Sequence, residues 1–250
     1  MRQELLARQL DEQIAARYPV GQRLRILDVG MGRGTQALRL ARAGHEITGL
    51  ESDPAPLRRV QEALATEPAG IRERFRLIQG ECRETGVHFL PGSFDVVLCH
   101  SVLMSSEQPD DLLAGLARML APGGLLSLTV RNAEALAMGP GLAGDWPTAL
   151  AALEPDPAAD RGPAGTGGAV HAHHAHRAHR LDALTGTLAG IAAPLHAWYG
   201  VQVFTPWGPD SELPAAAELE QLLATEDRAG RTDPYRGIAA LLHLCGARDS

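Results

Sequence analysis

The 250-residue chain contains no lysine: all 23 of its basic side chains are arginine. That absence excludes Schiff-base enzymes, pyridoxal-phosphate attachment, P-loop nucleotide hydrolysis and ordinary protein-kinase chemistry, each of which needs a lysine amine. Asparagine is nearly missing as well, with Asn132 as the one example. Aromatic residues amount to 4%, so the core has to be aliphatic. The three cysteines, Cys82, Cys99 and Cys245, are far apart with no CxxC spacing. Neither a zinc site nor a disulfide framework is indicated, and a reducing cytoplasm fits best. No stretch reaches the roughly 18 apolar residues of a membrane span. The charged start MRQELLARQLDEQIAARYP also lacks a signal-peptide apolar run. The expectation is a soluble cytoplasmic protein with no membrane partner.

What is present suits one α/β domain with an elaborated insertion. The net charge of −7 argues against a general polyanion binder such as a DNA-binding protein, but it is unevenly spread. Residues 1–83 hold 14 arginines against 11 acids, and residues 84–250 hold 9 against 19. Any anionic partner is therefore expected on the first third.

The spacing of Leu5, Leu6, Gln9, Leu10 and Ile14 predicts an amphipathic leading helix over 3–17. Strands follow at 25–30, 46–51, 74–79, 94–99 and 125–131, with helices near 35–43, 54–66 and 109–120. Short apolar strands alternating with helices indicate a parallel, doubly wound sheet whose ligand sits at the carboxyl ends of the strands. Residues 138–180 turn rich in Gly, Pro, Ala and His, and read as a short helix near 146–153 and then a linker. A helix at 181–193, a strand at 195–204, a helix at 214–226 and a strand near 238–246 complete a seven-stranded sheet. The chain divides into a cofactor-binding core (20–131), a cap or linker insertion (132–180) and the C-terminal helices and last strands (181–250), all within one domain.

The sharpest motif is Leu27-Asp28-Val29-Gly30-Met31-Gly32-Arg33-Gly34-Thr35 at the first strand-to-helix turn. Alternate glycines let the backbone turn tightly and approach a ligand, and the helix start offers free N–H groups. A dinucleotide fingerprint from Gly30 would need Gly or Ala at position 35, which is Thr35. Asp28, two residues before the first glycine, would repel a pyrophosphate but engage an ammonium. Glu51, followed by Ser52, ends the second strand where an acid accepts hydrogen bonds from ribose hydroxyls. Gly80-Glu81-Cys82 ends the third, where Glu81 suits an adenine amino group and Cys82 offers a backbone N–H. Acids at three strand ends favour a ligand with cationic and hydroxyl groups and no phosphate, such as S-adenosylmethionine.

With these residues the sequence resembles the class I S-adenosylmethionine-dependent methyltransferases. The likeness extends over Ile26–Gly34, Gly49-Leu50-Glu51, Gly80-Glu81-Cys82, Phe94-Asp95-Val96-Val97 and Leu120-Ala121-Pro122-Gly123-Gly124. It implies a Rossmann-like sheet of strand order 3-2-1-4-5-7-6 with the last strand antiparallel. Beyond that core, His100-Ser101-Val102-Leu103, Asn132-Ala133, Ala143-Gly144-Asp145-Trp146, Gly200–Phe204 and Asp233-Pro234-Tyr235 look like the tRNA 5-carboxymethoxyuridine methyltransferase family. That resemblance implies methylation of a carboxylate on a wobble uridine of tRNA. It departs at Met104-Ser105, at Gln202 where an arginine is expected, and at residues 171–180, a histidine-rich tract in place of a lysine-rich one.

Methyl transfer needs proximity and orientation, and a base only if the acceptor arrives protonated. Arg131 and Asn132, just past the fifth strand, are the first candidates for catalytic and substrate contacts. The alternatives are a solvated Arg131 and an Asn132 that caps the next helix. His100, ending the fourth strand, suits cofactor contact and general-base catalysis, or shapes the pocket as a structural histidine. Trp146, Tyr199, Trp207 and Tyr235 are candidates for an aromatic cap on a flat acceptor, with Arg236 beside them; Tyr199 and Trp207 equally fit simple packing. The five histidines of 171–179 form a metal-capable pattern, but their low-complexity setting reads as a solvated tract, so no metal is expected. The expected partner is tRNA or a small-molecule acceptor, with the chain a monomer or homodimer. The rival readings are a methyltransferase for a small metabolite carrying a carboxylate or hydroxyl, and an inactive cofactor-binding module.

Overall fold

A computed structural model describes residues 1–154, 177–205 and 216–249. The order of elements is α1 (Arg2–Arg17), β1 (Arg25–Val29), α2 (Thr35–Arg42), β2 (Glu46–Glu51), α3 (Pro54–Ala65), α4 (Ala69–Arg72), β3 (Phe75–Gln79), α5 (Thr85–His88), β4 (Phe94–His100), α6 (Pro109–Met119) and β5 (Leu120–Asn132). Then come α7 (Met138–Leu142), α8 (Trp146–Leu153), the two-residue β6 (Ala178–His179), α9 (Leu181–Gly190), β7 (Leu195–Val201), α10 (Ala216–Ala229) and β8 (Leu241–Ala247).

The sheet runs β3-β2-β1-β4-β5-β8-β7, with β6 appended to β5. β8 runs antiparallel to both β5 and β7, and every other pair is parallel. The main path is thus the anticipated order and the anticipated reversed strand. The eighth strand was not anticipated, because a two-residue pairing leaves no periodicity to read. The reversal of order between β1 and β4 is the switch point at which ligands sit in open α/β sheets.

The central strands β1, β4 and β5 bury both faces. Leu27, Val29, Val97, Cys99, Leu126, Leu128 and Val130 pack on one side with α6 and α9. Ile26, Val96, Leu98 and Leu125 pack on the other with α1, α2 and α3. The leading helix turns Leu5, Leu6, Gln9 and Leu10 inward, as its spacing predicts. Two of its inward residues, Gln9 and Gln13, are polar, and both find buried partners across the sheet. β3 lies at the sheet edge, where the exposed Arg76 between buried Phe75 and half-buried Leu77 discourages edge pairing.

Element ends shift in ways that local chemistry explains. β5 begins five residues earlier than expected, because Leu120 pairs with Phe94 before an irregularity restores register at Val96–Leu125. β7 stops at Val201 rather than Phe204, because Gln202 takes φ +63°, outside strand geometry. The last strand starts at Leu241, since Tyr235–Ile238 form a 3-10 turn. Among the described residues no helix is long and apolar enough to cross a membrane.

Candidate active site at the carboxyl ends of the central strands

The glycine turn after β1 carries three left-handed residues in alternation, Gly30 (φ +64°), Gly32 (φ +55°) and Gly34 (φ +67°). Only glycine adopts this without strain. At Gly30 a side chain would also strike Val102 Cγ2 and come within 3.5 Å of Cys82 Sγ. At Gly32 nothing lies within 4 Å of an added Cβ, so this segment faces open space. The turn is fixed by Gly30 N–H donating to the Leu50 carbonyl (2.8 Å) and Gly34 N–H to the Met31 carbonyl (2.9 Å).

Glu51, at the end of β2 and buried, braces the same turn. One carboxylate oxygen accepts from Gly32 N–H (2.9 Å) and the other from Asp53 N–H (3.0 Å). Each oxygen keeps a lone pair, enough to accept two further donors. Asp28 is buried on β1 and makes no hydrogen bond or ion pair among the described residues. Burial, with the negative charge of Glu51 second, pushes its carboxyl up to about 7. A buried, unpartnered carboxylate beside another carboxylate is a site for a cation.

Thr35 is the first residue of α2 and Ser52 is half-buried beyond Glu51. Glu81 is exposed; its side chain accepts from the backbone N–H of Glu84 while the Glu84 carboxylate accepts from Glu81 N–H, a reciprocal cap on the Cys82–Glu84 turn. Cys82 is half-buried over Gly30; burial, then the Glu51 and Glu81 charges, push its thiol up to about 11, so it is a neutral thiol. The register Asp28–Leu98 brings Gly30 level with His100. His100 is partly exposed, and burial of its ring together with Arg2 and Arg39 lowers it to about 4, so it is uncharged at neutral pH.

These residues suit S-adenosylmethionine. Its ammonium matches Asp28, its ribose diol matches the free lone pairs of Glu51, and the Gly32 segment leaves the backbone open to it. The residues that would hold it are Asp28, Gly30, Gly32, Glu51, Glu81 and Cys82.

Several candidates have other employment. Asn132 is fully buried: its amide donates to the Gly237 and Ala239 carbonyls (2.9 Å each), and its side-chain oxygen accepts from Glu134 N–H (3.0 Å). This is the cap reading, and it corrects the catalytic and substrate roles, because no donor or acceptor of consequence is left over. Tyr199 is buried under α1, accepting from Gln13 Nε2 (2.6 Å) and donating to Glu12 (3.0 Å), so it is core rather than cap. Arg236 is held by Asp233 (2.7 Å) and stacks over Trp198 with its guanidinium carbon 3.9 Å from the ring centroid. That occupies the fork expected to bind substrate. Trp146 is 69% exposed at the start of α8, and Tyr235 is 46% exposed with Phe204 6.3 Å away, so no closed aromatic cap joins them. His171–His176 and Trp207 lie outside the described residues.

Arg131 keeps its position at the end of β5. The parallel register of β6 on β5, Arg131 with Ala178, puts Arg177 level with Val130, one position before the partner of Arg131, and Arg177 N–H donates to the Met104 carbonyl (2.8 Å). Neither guanidinium has an ion pair or side-chain hydrogen bond with the described residues. Arg177 gave no signal in the sequence, because the pairing of β6 with the end of β5 depends on a chain return of more than 40 positions. Nor did a buried chain behind His100: Nε2 of His100 lies 2.8 Å from Ser127 Oγ, which lies 2.8 Å from His243 Nε2, while His243 Nδ1 lies 2.8 Å from Gln9 Oε1.

The family model described as "Methyltransferase domain" matches residues 27–128. The tRNA 5-carboxymethoxyuridine methyltransferase of Escherichia coli (strain K12) is 32% identical over 146 residues, covering 58% of this chain and 54% of the relative. A ubiquinone biosynthesis O-methyltransferase of Pectobacterium carotovorum is 34% identical over 116 residues, 46% of each chain. This chain thus spans about half the length of the curated relatives it matches. Among solved structures, magnesium protoporphyrin IX methyltransferase from Synechocystis PCC 6803, with bound SAH, has a TM-score of 0.58 at 16% identity, covering 99% of this chain and 83% of that one. An S-adenosylmethionine-dependent methyltransferase from Mesorhizobium loti has a TM-score of 0.57 at 18% identity, over 95% and 96%.

Proposed function

We propose that this chain, which carries a methyltransferase domain of the class I S-adenosylmethionine-dependent fold, transfers a methyl group to an anionic acceptor, the carboxylate of a modified wobble uridine in tRNA. The observation that carries the cofactor half is the Asp28–Glu51 pair, two buried carboxylates whose mutual repulsion a cationic ligand relieves. The cofactor, when bound, supplies an activated methyl group. The chain's own task is then to bind, align and exclude water.

The acceptor half rests on Arg131 and Arg177. In a chain without lysine, an anion has to be held by guanidinium, hydroxyl or backbone groups, and these two, near the carboxyl end of β5, have no ion pair or side-chain hydrogen bond among the described residues. Arginine forks match a carboxylate in two-point geometry. An acceptor that is already ionised needs no base, which agrees with a His100 that burial lowers to about 4 and so makes a weak base. The similarity to the E. coli tRNA enzyme supports the same acceptor. The protein is read as acting in the cytoplasm, where tRNA is.

The second reading is a small-molecule hydroxyl acceptor, which the similarity to ubiquinone biosynthesis O-methyltransferases favours. Incubation of the protein and S-adenosylmethionine with tRNA from cells lacking the methyl ester, followed by nucleoside mass spectrometry, separates the two. Formation of the ester, lost in Arg131→Ala/Arg177→Ala, supports the tRNA reading. No ester with tRNA, but methyl transfer to phenolic or catecholic acceptors, overturns it in favour of the second.

A further inference from the structure

We propose that Gln9, His243 and Ser127 are positioning residues that hold His100 as the Nε2–H tautomer, leaving Nδ1 as a bare hydrogen-bond acceptor at the carboxyl end of β4. The inference follows from donor and acceptor bookkeeping along the buried chain. A glutamine Oε1 can only accept, so the 2.8 Å contact to His243 Nδ1 requires a proton on Nδ1. Burial, with His100 second, keeps His243 well below the usual histidine range, so it carries one ring proton and its Nε2 is an acceptor.

The single hydroxyl proton of Ser127 then points to His243 Nε2 (2.8 Å). Cys245 Sγ lies farther off, 3.6 Å from the same Nε2, and burial pushes its thiol up to about 12; a neutral thiol donates or accepts weakly and leaves the assignment to the shorter Ser127 contact. With its proton spent, Ser127 Oγ can only accept from His100, so the proton of His100 is on Nε2. Its Nδ1 has no partner among the described residues.

The residues come from α1, β4, β5 and β8, and the chain crosses from the buried face of α1 to the strand end beside the glycine turn. His243, Ser127 and Gln9 are each fully buried. Fixing the tautomer costs nothing when a ligand arrives, because the proton is already placed. A bare Nδ1 suits an O–H or N–H donor of the bound molecule, and repels a carboxylate placed directly against it. The carboxylate of the proposed acceptor therefore belongs on the Arg131 side, with a hydroxyl or amide N–H facing His100. That last step rests on the function proposed above; the tautomer itself does not.

The test is two-bond ¹H–¹⁵N NMR of the ring nitrogens in ligand-free protein labelled with ¹⁵N-histidine, at neutral pH. His100→Gln and His243→Gln assign the two resonance sets. The expected result is a single Nε2–H tautomer for His100 and a single Nδ1–H tautomer for His243. Ser127→Ala and Gln9→Met should turn His100 into a tautomer mixture, and Ser127→Thr, which restores the hydroxyl, should recover the single form. A turned-over Gln9 amide would reverse every donor in the chain. Finding the His100 proton on Nδ1 in the wild-type protein therefore overturns the proposal, as does a His100 tautomer unchanged in both Ser127→Ala and Gln9→Met. The wild-type spectrum alone is decisive even if a variant does not fold. Because no ligand is present, failure here leaves the methyltransferase reading standing, and failure of that reading leaves this result standing.

Discussion

Asp28 and Glu51 lie near the carboxyl ends of adjacent parallel strands as two buried carboxylates, of which Glu51 braces the glycine turn and Asp28 has no partner among the described residues. Asp28 therefore titrates at about 7 instead of 3.8, with desolvation the main cause and Glu51 the second. An acid whose folded pKa is raised binds more protons folded than unfolded between those values, so its contribution to stability falls as pH rises from 3.8 to about 7. A cationic ligand favours the ionised form. Calorimetric affinity for S-adenosylmethionine is expected to rise about tenfold from pH 6 to pH 8, as Asp28 ionisation goes from about a tenth to about nine-tenths. In Asp28→Asn the affinity should fall and this pH step should vanish, while the ligand-free protein melts higher than wild type at pH 8.

Gly30 and Gly32 should respond differently to alanine. Gly30→Ala has both a left-handed backbone and a collision with Val102 to accommodate, so it should lower the melting temperature strongly. Gly32→Ala meets nothing within 4 Å, and its cost is the backbone strain of about 1–2 kcal/mol. It should stay folded and lose cofactor affinity, as measured by titration calorimetry. Full-affinity binding in folded Gly32→Ala would mean that the turn does not approach the ligand.

Asn132→Ala should act on stability rather than on chemistry. It removes three hydrogen bonds that join the end of β5 to the segment before β8 and to the following turn. The expected loss is about 2–4 kcal/mol in denaturant unfolding, since two backbone carbonyls lose their donor. Cofactor affinity in the folded fraction should be unchanged.

Glu226 is buried and accepts from the backbone N–H groups of Val203, Phe204 and Thr205 at 2.7, 3.0 and 2.8 Å. Glu226→Gln keeps the shape but sets an N–H₂ against those donors. The variant should be less stable by about 2–4 kcal/mol in chemical denaturation, with local protection from hydrogen exchange lost first at 203–205.

The sheet and the glycine turn were legible in the sequence because both are written in short contiguous stretches. Strand periodicity, the glycine turn from Gly30 to Gly34 and the acids at the strand ends each depend on residues within a few positions of one another. The same arithmetic that found no lysine already left arginine, hydroxyl or backbone groups to hold any anion. Which arginine is available was a tertiary matter: Arg236 is occupied by Asp233 and Trp198, whereas Arg131 and Arg177 have no side-chain partner among the described residues. The cap that Asn132 forms two residues on was open to a sequence reading, but the Gly237 and Ala239 carbonyls that take up its amide and the Glu12 and Gln13 partners of Tyr199 lie 105 or more positions away. The relay behind His100 joins residues 116 and 234 positions apart. No local pattern encodes such contacts; they exist because sheet order places β8 beside β5 and lays α1 across both.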